Sequence, residues 1–193
     1  MKVIEFFPYP LLIGILTQTG IMIRHRHRDW LHLSLMVLFG IYLMVVVDLV
    51  AFPIVIPEDW PENLNLTGFV VNLDQTVNLV PFDYGNMFSH LSDDSISPYI
   101  VLREIGGNIL LTMPFGFGIH LFRSIRRRNI IGWAIATGLI LEGTQLLIIL
   151  FMGPSMHSVD INDVILNASG VLIGYGFYQA LIWVIRQLRK KRD

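Results

Sequence analysis

The chain has 193 residues, of which 53% are hydrophobic and 15% charged, with a mean hydropathy of +0.59. That balance excludes an ordinary soluble domain and fits a small integral membrane protein built as one bundle. The absence of cysteine excludes a disulfide framework, a thiolate nucleophile and a Cys-based zinc site, while the net charge of −1 conceals a strong segregation of sign.

Five apolar segments follow along the chain, at residues 6–23, 30–52, 99–122, 130–152 and 161–185. Each approaches the ~20 residues that a helix rising ~1.5 Å per residue needs to cross the hydrocarbon. The first is interrupted by Pro8, Pro10, Thr17 and Gln18. A cleavable signal carries its positive charges before the apolar run, whereas here Arg24, Arg26 and Arg28 follow it. The segment therefore reads as a retained span.

Charge sets the orientation. All of the 14 Lys and Arg residues except Lys2 and Arg103 fall in the short stretches 24–28, 123–128 and 186–192. With five spans these stretches share one side, which the positive-inside rule makes cytoplasmic. Glu58, Asp59, Glu62, Asp74, Asp83, Asp93 and Asp94 then face outward. The expected topology is N-out and C-in, and a four-span alternative would leave the first basic cluster beside a free N-terminus. The basic stretches abut apolar spans and lack interleaved aromatics, so they read as topology determinants that also meet anionic lipid, not as a nucleic-acid surface.

The sizeable outer loop covers residues 53–98. Alternation around Thr76, Val77, Asn78 and Leu79 fits one or two short strands or a re-entrant stretch, and Pro81 favours extended backbone before it. The loop is either a solvated cap or a lid over a binding site.

Spans three to five carry polar groups that a bilayer penalises, a charged side chain at its centre costing roughly 2.5–3.5 kcal/mol on insertion scales. At ~1.5 Å per residue, Asn108, Gln145 and Asn167 share a level in the outer half, with Glu142 just beneath and Asp160 and Asp163 just above. Glu142 and Gln145 share a helix face, as do Glu104 with Asn108 and Asp163 with Asn167 and Gly170. Gly170-x-x-x-Gly174 allows a close neighbouring backbone, and Pro114, followed by Gly116 and Gly118, frees a carbonyl in span three. Asn108, Gln145 and Asn167 serve either as interhelical hydrogen bonds or as ligand-facing groups. Asp160 and Asp163 suit a helix start, where the dipole favours acids. Arg103 suits an anionic headgroup, with Asp48 a candidate partner. The spacing of His157, Asp160 and Asp163 matches no established metal motif, and no nucleophile elbow accompanies Ser155 and Ser158. No cofactor is implied.

The runs Asn78-Leu-Val-Pro81-Phe, Asn108-Ile-Leu-Leu-Thr-Met-Pro114-Phe-Gly116, Glu142-x-x-Gln145 and Asp160-Ile-Asn-Asp163-Val-Ile-Leu-Asn167-Ala-Ser-Gly170-x-x-x-Gly174 resemble, in order, those of the VanZ-like family. The resemblance covers about half the chain, roughly residues 78–174. It implies a multi-pass plasma-membrane protein of the Gram-positive type linked to teicoplanin resistance, with no established activity. It also implies that Asn78, Pro81, Asn108, Pro114, Gly116, Glu142, Gln145, Asp163, Asn167 and Gly170 are motif positions. The family commonly has an Arg where this chain has His157.

The expected architecture is thus an all-α membrane bundle of about five helices forming a single domain over residues 1–193, with one outer loop. The expected site is a polar pocket opening outward among spans three to five, with Arg103, Asn108, Glu142, Gln145, His157, Asp160, Asp163 and Asn167 facing the ligand. Asn78, Pro81, Pro114, Gly116, Gly170 and Gly174 would be structural. The expected ligand is a lipid-linked cell-wall precursor or a lipoglycopeptide. A rival reading is an enzyme modifying an envelope lipid, with Glu142 and Asp163 as acid and base. A transporter fits less well, because the inner halves of the spans offer little polar path.

Overall fold

A computed structural model describes residues 2–4, 14, 16, 17, 20, 30–56, 77–82, 98–122, 125–152 and 158–191. In chain order its elements are β1 (Lys2–Ile4), α1 (Trp30–Ala51), β2 (Ile54–Ile56), β3 (Val77–Asn78), α2 (Pro98–Phe122), a 3-10 turn (Arg127–Asn129), α3 (Ile130–Met152), β4 (Val159–Asp160) and α4 (Ile161–Lys190). The candidate first span, at 6–23, lies almost wholly outside the described residues.

Among the described residues, three helical stretches are long and apolar enough to cross a membrane: Leu33–Ala51, Arg127–Phe151 and Ile161–Lys190. The 25 residues of α2 give it comparable length, but Arg103, Glu104 and Asn108 make its first half polar. Helices α1 and α3 are apolar around most of their circumference, interrupted by Asp48 on α1 and by Glu142 and Gln145 on α3, the pattern of a helix set between lipid and protein. Leu38, Leu49, Ile140 and Phe151 accordingly stay exposed.

The chain divides into two compact units. The first comprises residues 1–77 and 143–159. In it, β1 pairs antiparallel with β2 in the register Lys2 to Ile56, Val3 to Val55 and Ile4 to Ile54. The pairing was not anticipated, because three residues carry too little pattern to announce a strand. Helix α1 ends where Phe52 N–H donates to the Asp48 carbonyl at 3.1 Å, and it buries Val46 and Val50, one turn apart.

The second unit comprises residues 78–142 and 160–193. Helices α2 and α4 pack with backbones in close approach. A Cβ on Gly170 would meet the Ile109 carbonyl and Thr112 Oγ1, one on Gly174 the Met113 carbonyl, and one on Gly116 the Val171 carbonyl. Only glycine permits that spacing. Contact numbers rise together on both helices, from Asn108 and Asp163 through Met113 and Gly174 to Phe117 and Tyr178. The two helices therefore run parallel, with α3 between them in the chain. Ile130 and Ala134 at the start of α3 join Val171 and Tyr175 in a core flanked by Phe115 and Ala168.

Strand β3, which comprises Val77–Asn78 among the described residues, pairs with β4. Asp160 caps α4, its side chain accepting from Asn162 N–H at 2.7 Å. Such a cap satisfies one of the donors that every helix start leaves open. Arg189 and Lys190 at the other end complement the negative pole of the dipole.

Candidate functional site

The parallel packing of α2 on α4 brings two i,i+4 pairs into register. Asn108 Nδ2 donates to Asp163 Oδ1 at 2.6 Å, and one turn on, Thr112 Oγ1 donates to the Asn167 carbonyl at 2.7 Å. Thr112 and Asn167 are each 1% exposed, so the second rung is sealed from solvent and lipid alike. Because α-helical residues four apart share a face, matching spacings on both helices make matching rungs. The amide oxygen of Asn167 is buried and has no partner among the described residues.

The start of α4 gathers the remaining acids. Glu142, 5% exposed on α3, accepts the Asp160 N–H through Oε2 at 3.1 Å. Asp160 Oδ2 in turn accepts from Asn78 Nδ2 at 3.1 Å. Asn78 also folds its own strand end over, its Oδ1 accepting from Val80 N–H at 3.0 Å in an Asx turn. Asn162, 3% exposed, accepts the Phe82 N–H at 2.6 Å. The Asn78-Leu-Val-Pro-Phe run is thereby strapped to the helix start by side-chain amides.

Electrostatically the cluster is acidic. Asp163 has the carboxyl groups of Glu104 and Asp160 as neighbours. Among the described residues, no group of three His, Asp or Glu side chains is arranged to hold a metal ion.

A shallow, open depression of about 320 Å³ lies on α2, lined by Arg103, Glu104, Gly107 and Asn108. It offers an exposed guanidinium, the Glu104 carboxyl, and an amide already oriented by Asp163. A planar fork of donors beside an amide suits a phosphate or carboxylate. The depression's volume sits at the small end of the range for ligand pockets.

Of the residues expected to face a ligand, Arg103 and Asn108 line this pocket. Glu142, Asp160, Asp163 and Asn167 are engaged in the hydrogen-bond network of the helix starts and the α2–α4 interface. Gln145, half-buried on α3, belongs to the first unit, and Asp48 also lies there, on α1. His157 lies outside the described residues. Pro81 is exposed in the strap, and Pro114 sits inside a helix that continues past it.

Two participants escaped the sequence reading. Thr112 stands four residues after Asn108 and so on its face, a signal that was present. Asn162 sits inside the Asp160–Asp163 run, but nothing local says that its amide would reach residues 80 positions away.

A family model described as VanZ/LLP1 matches residues 4–184 of the chain. No curated protein and no solved structure matches it.

Proposed function

The chain belongs to the VanZ/LLP1 family and is a membrane protein with three helices fit to span a bilayer, and from that premise we propose that it binds the anionic headgroup of a lipid-linked envelope precursor or lipoglycopeptide. In doing so it contributes to glycopeptide (teicoplanin) resistance by lowering the drug's access to its target. The observation that carries the reading is that Arg103 and Asn108 line one open depression on α2. Asp163 holds the Asn108 amide in place, so that the donor is oriented before the ligand arrives.

The proposed topology is five spans in the plasma membrane, N-out and C-in. Support comes from strand pairing: β1 and β2 are hydrogen-bonded, so their residues share a side of the membrane. Helix α1 crosses once between them, and a second crossing within residues 5–29 is needed to close the count. Asn78 and Asp160 likewise share a side while α2 and α3 intervene, which suits two crossings. The parallel run of α2 and α4 agrees with a single return span between them.

The test uses Arg103→Gln and Arg103→Lys. Both variants are expected to reach the membrane at normal levels. Binding of a polyprenyl diphosphate to the purified protein should fall at least tenfold for Gln and less for Lys, with resistance following binding. Wild-type binding and resistance in Arg103→Gln would refute the reading. The rival enzyme, with Glu142 and Asp163 as acid and base, would create a new lipid species. Mass spectrometry of envelope lipids with and without the protein separates the two, since a binder leaves composition unchanged.

A further inference from the structure

The strap at Leu79–Phe82 combines three properties that together specify its surroundings. Its side chains are apolar and point away from the protein: Leu79 is 69% exposed, Val80 58% and Phe82 70%. Two of its three backbone N–H groups are nevertheless satisfied by side-chain amides of the protein. The Val80 N–H goes to Asn78 Oδ1 and the Phe82 N–H to Asn162 Oδ1, Pro81 has no N–H, and Asn162 Nδ2 reaches toward the Val80 carbonyl at 3.5 Å. Finally, Phe82 adopts φ of 61°, a left-handed conformation that a bulky residue avoids unless its surroundings impose it.

A turn facing bulk water favours polar tips, whereas these tips are apolar. Irregular backbone is excluded from the bare hydrocarbon core, so N–H groups already held by Asn78 and Asn162 suit a strap that lies at the membrane interface and lays its side chains toward the acyl chains. The anchor point agrees, since Asn162 lies in the first turn of α4, where a candidate span begins. Its partner Asn78 is held by Asp160, the cap of the same helix. No charged residue occurs between Asp74 and Asp83.

The geometry points to Leu79–Phe82 as an apolar finger whose side chains enter the leaflet that the N-terminus of α4 enters, with membrane hydrocarbon as its occupant and Asn78 and Asn162 as the clamps that hold its backbone at the interface. Phe82 is turned into the left-handed region so that its ring projects into the acyl region while its N–H stays on Asn162. The finger would sit there whether or not the Arg103 pocket holds a headgroup.

The chain has no cysteine, so single cysteines can be introduced at Leu79, Phe82, Ser158 and Phe177 without removing any native thiol. Each variant is reconstituted into phosphatidylcholine–phosphatidylglycerol vesicles and labelled with a nitroxide, and collision rates with oxygen and a water-soluble nickel chelate are compared by electron paramagnetic resonance. Oxygen should exceed nickel at 79, 82 and the exposed helical position 177, and nickel should exceed oxygen at exposed Ser158. Nickel preference at both 79 and 82 would place the strap in water and overturn the inference. Exclusion of both reagents would overturn it by showing a protein cover. An oxygen preference that arises only after a polyprenyl diphosphate is added would overturn it in favour of contact with a ligand tail. Asn162→Ala should move the label at 82 toward nickel, while the label at 177 keeps its oxygen preference and reports that α4 remains inserted. An unchanged label at 82 in that variant would refute the clamp.

Discussion

Asn108 and Asp163 meet across α2 and α4 through an amide-to-carboxylate hydrogen bond of 2.6 Å. The contact joins two parallel helices at the level where α4 begins and orients the one amide that also lines the Arg103 pocket. Helix packing and the proposed headgroup binding therefore share an atom group, and the consequences separate by experiment.

The bond should be measurable as coupling. Interhelical hydrogen bonds in membranes average ~0.6 kcal/mol and reach ~1.7, while a charged acceptor strengthens the bond. A double-mutant cycle of Asn108→Ala and Asp163→Ala, read by unfolding in micelles, is expected to give about 1–2 kcal/mol. Additivity within ~0.3 kcal/mol would mean that the contact contributes nothing.

Backbone approach at the glycines makes a sharper forecast. Gly174→Ala drives a methyl into the Met113 carbonyl and Phe117 N, and Gly116→Ala into the Val171 carbonyl, so the helices must separate. Overpacking of this kind costs about 1–3 kcal/mol. Gly176, on the same helix with nothing within 4 Å, should tolerate alanine without loss. Thermal stability of the three purified variants checks the contrast, and equal melting would contradict the packing.

Sidedness can be read on intact cells. Val3→Cys and Ser158→Cys are expected to react with an impermeant maleimide from outside, and Arg127→Cys only after permeabilisation. All three positions are exposed. Labelling of positions 3 and 158 from opposite sides would break the five-span count.

Glu142 should respond to shape more than to charge. Its Oε2 accepts the Asp160 backbone N–H, and glutamine keeps an oxygen there while alanine does not. An orphaned buried donor costs about 1–3 kcal/mol. Glu142→Gln is therefore expected to stay near wild-type stability and Glu142→Ala to melt earlier. If both lose the same stability, the carboxylate's charge and not its acceptor is what the fold uses.

Much of this was legible beforehand, and the legible part was local. Apolar length picked out the three described helices fit to span a membrane, and helical spacing put Asn108 on the face of Glu104 and Asp163 on the face of Asn167 and Gly170. The Gly170–Gly174 spacing allowed a close backbone, and acids at the start of span five suited a helix start, a role Asp160 fills as the cap. Partners were not legible. Glu142 reads as a candidate acid at mid-span, yet its oxygen holds the N–H of Asp160, because the rotation and offset of packed helices decide which groups meet. Three-residue β1 gave no pattern, and its pairing with β2 depends on the chain returning from 50 residues away.

By itself, then, the sequence determined the class, the membrane solvent and the residues too polar to face it, since hydropathy and helical period are properties of neighbouring residues. Only the tertiary structure decided that Asn108 answers Asp163, that Thr112 answers Asn167, and that Asn162 reaches back to Phe82. Those pairings depend on helix offset and rotation, which are set by where glycines let two backbones touch and leave no local trace in the order of residues.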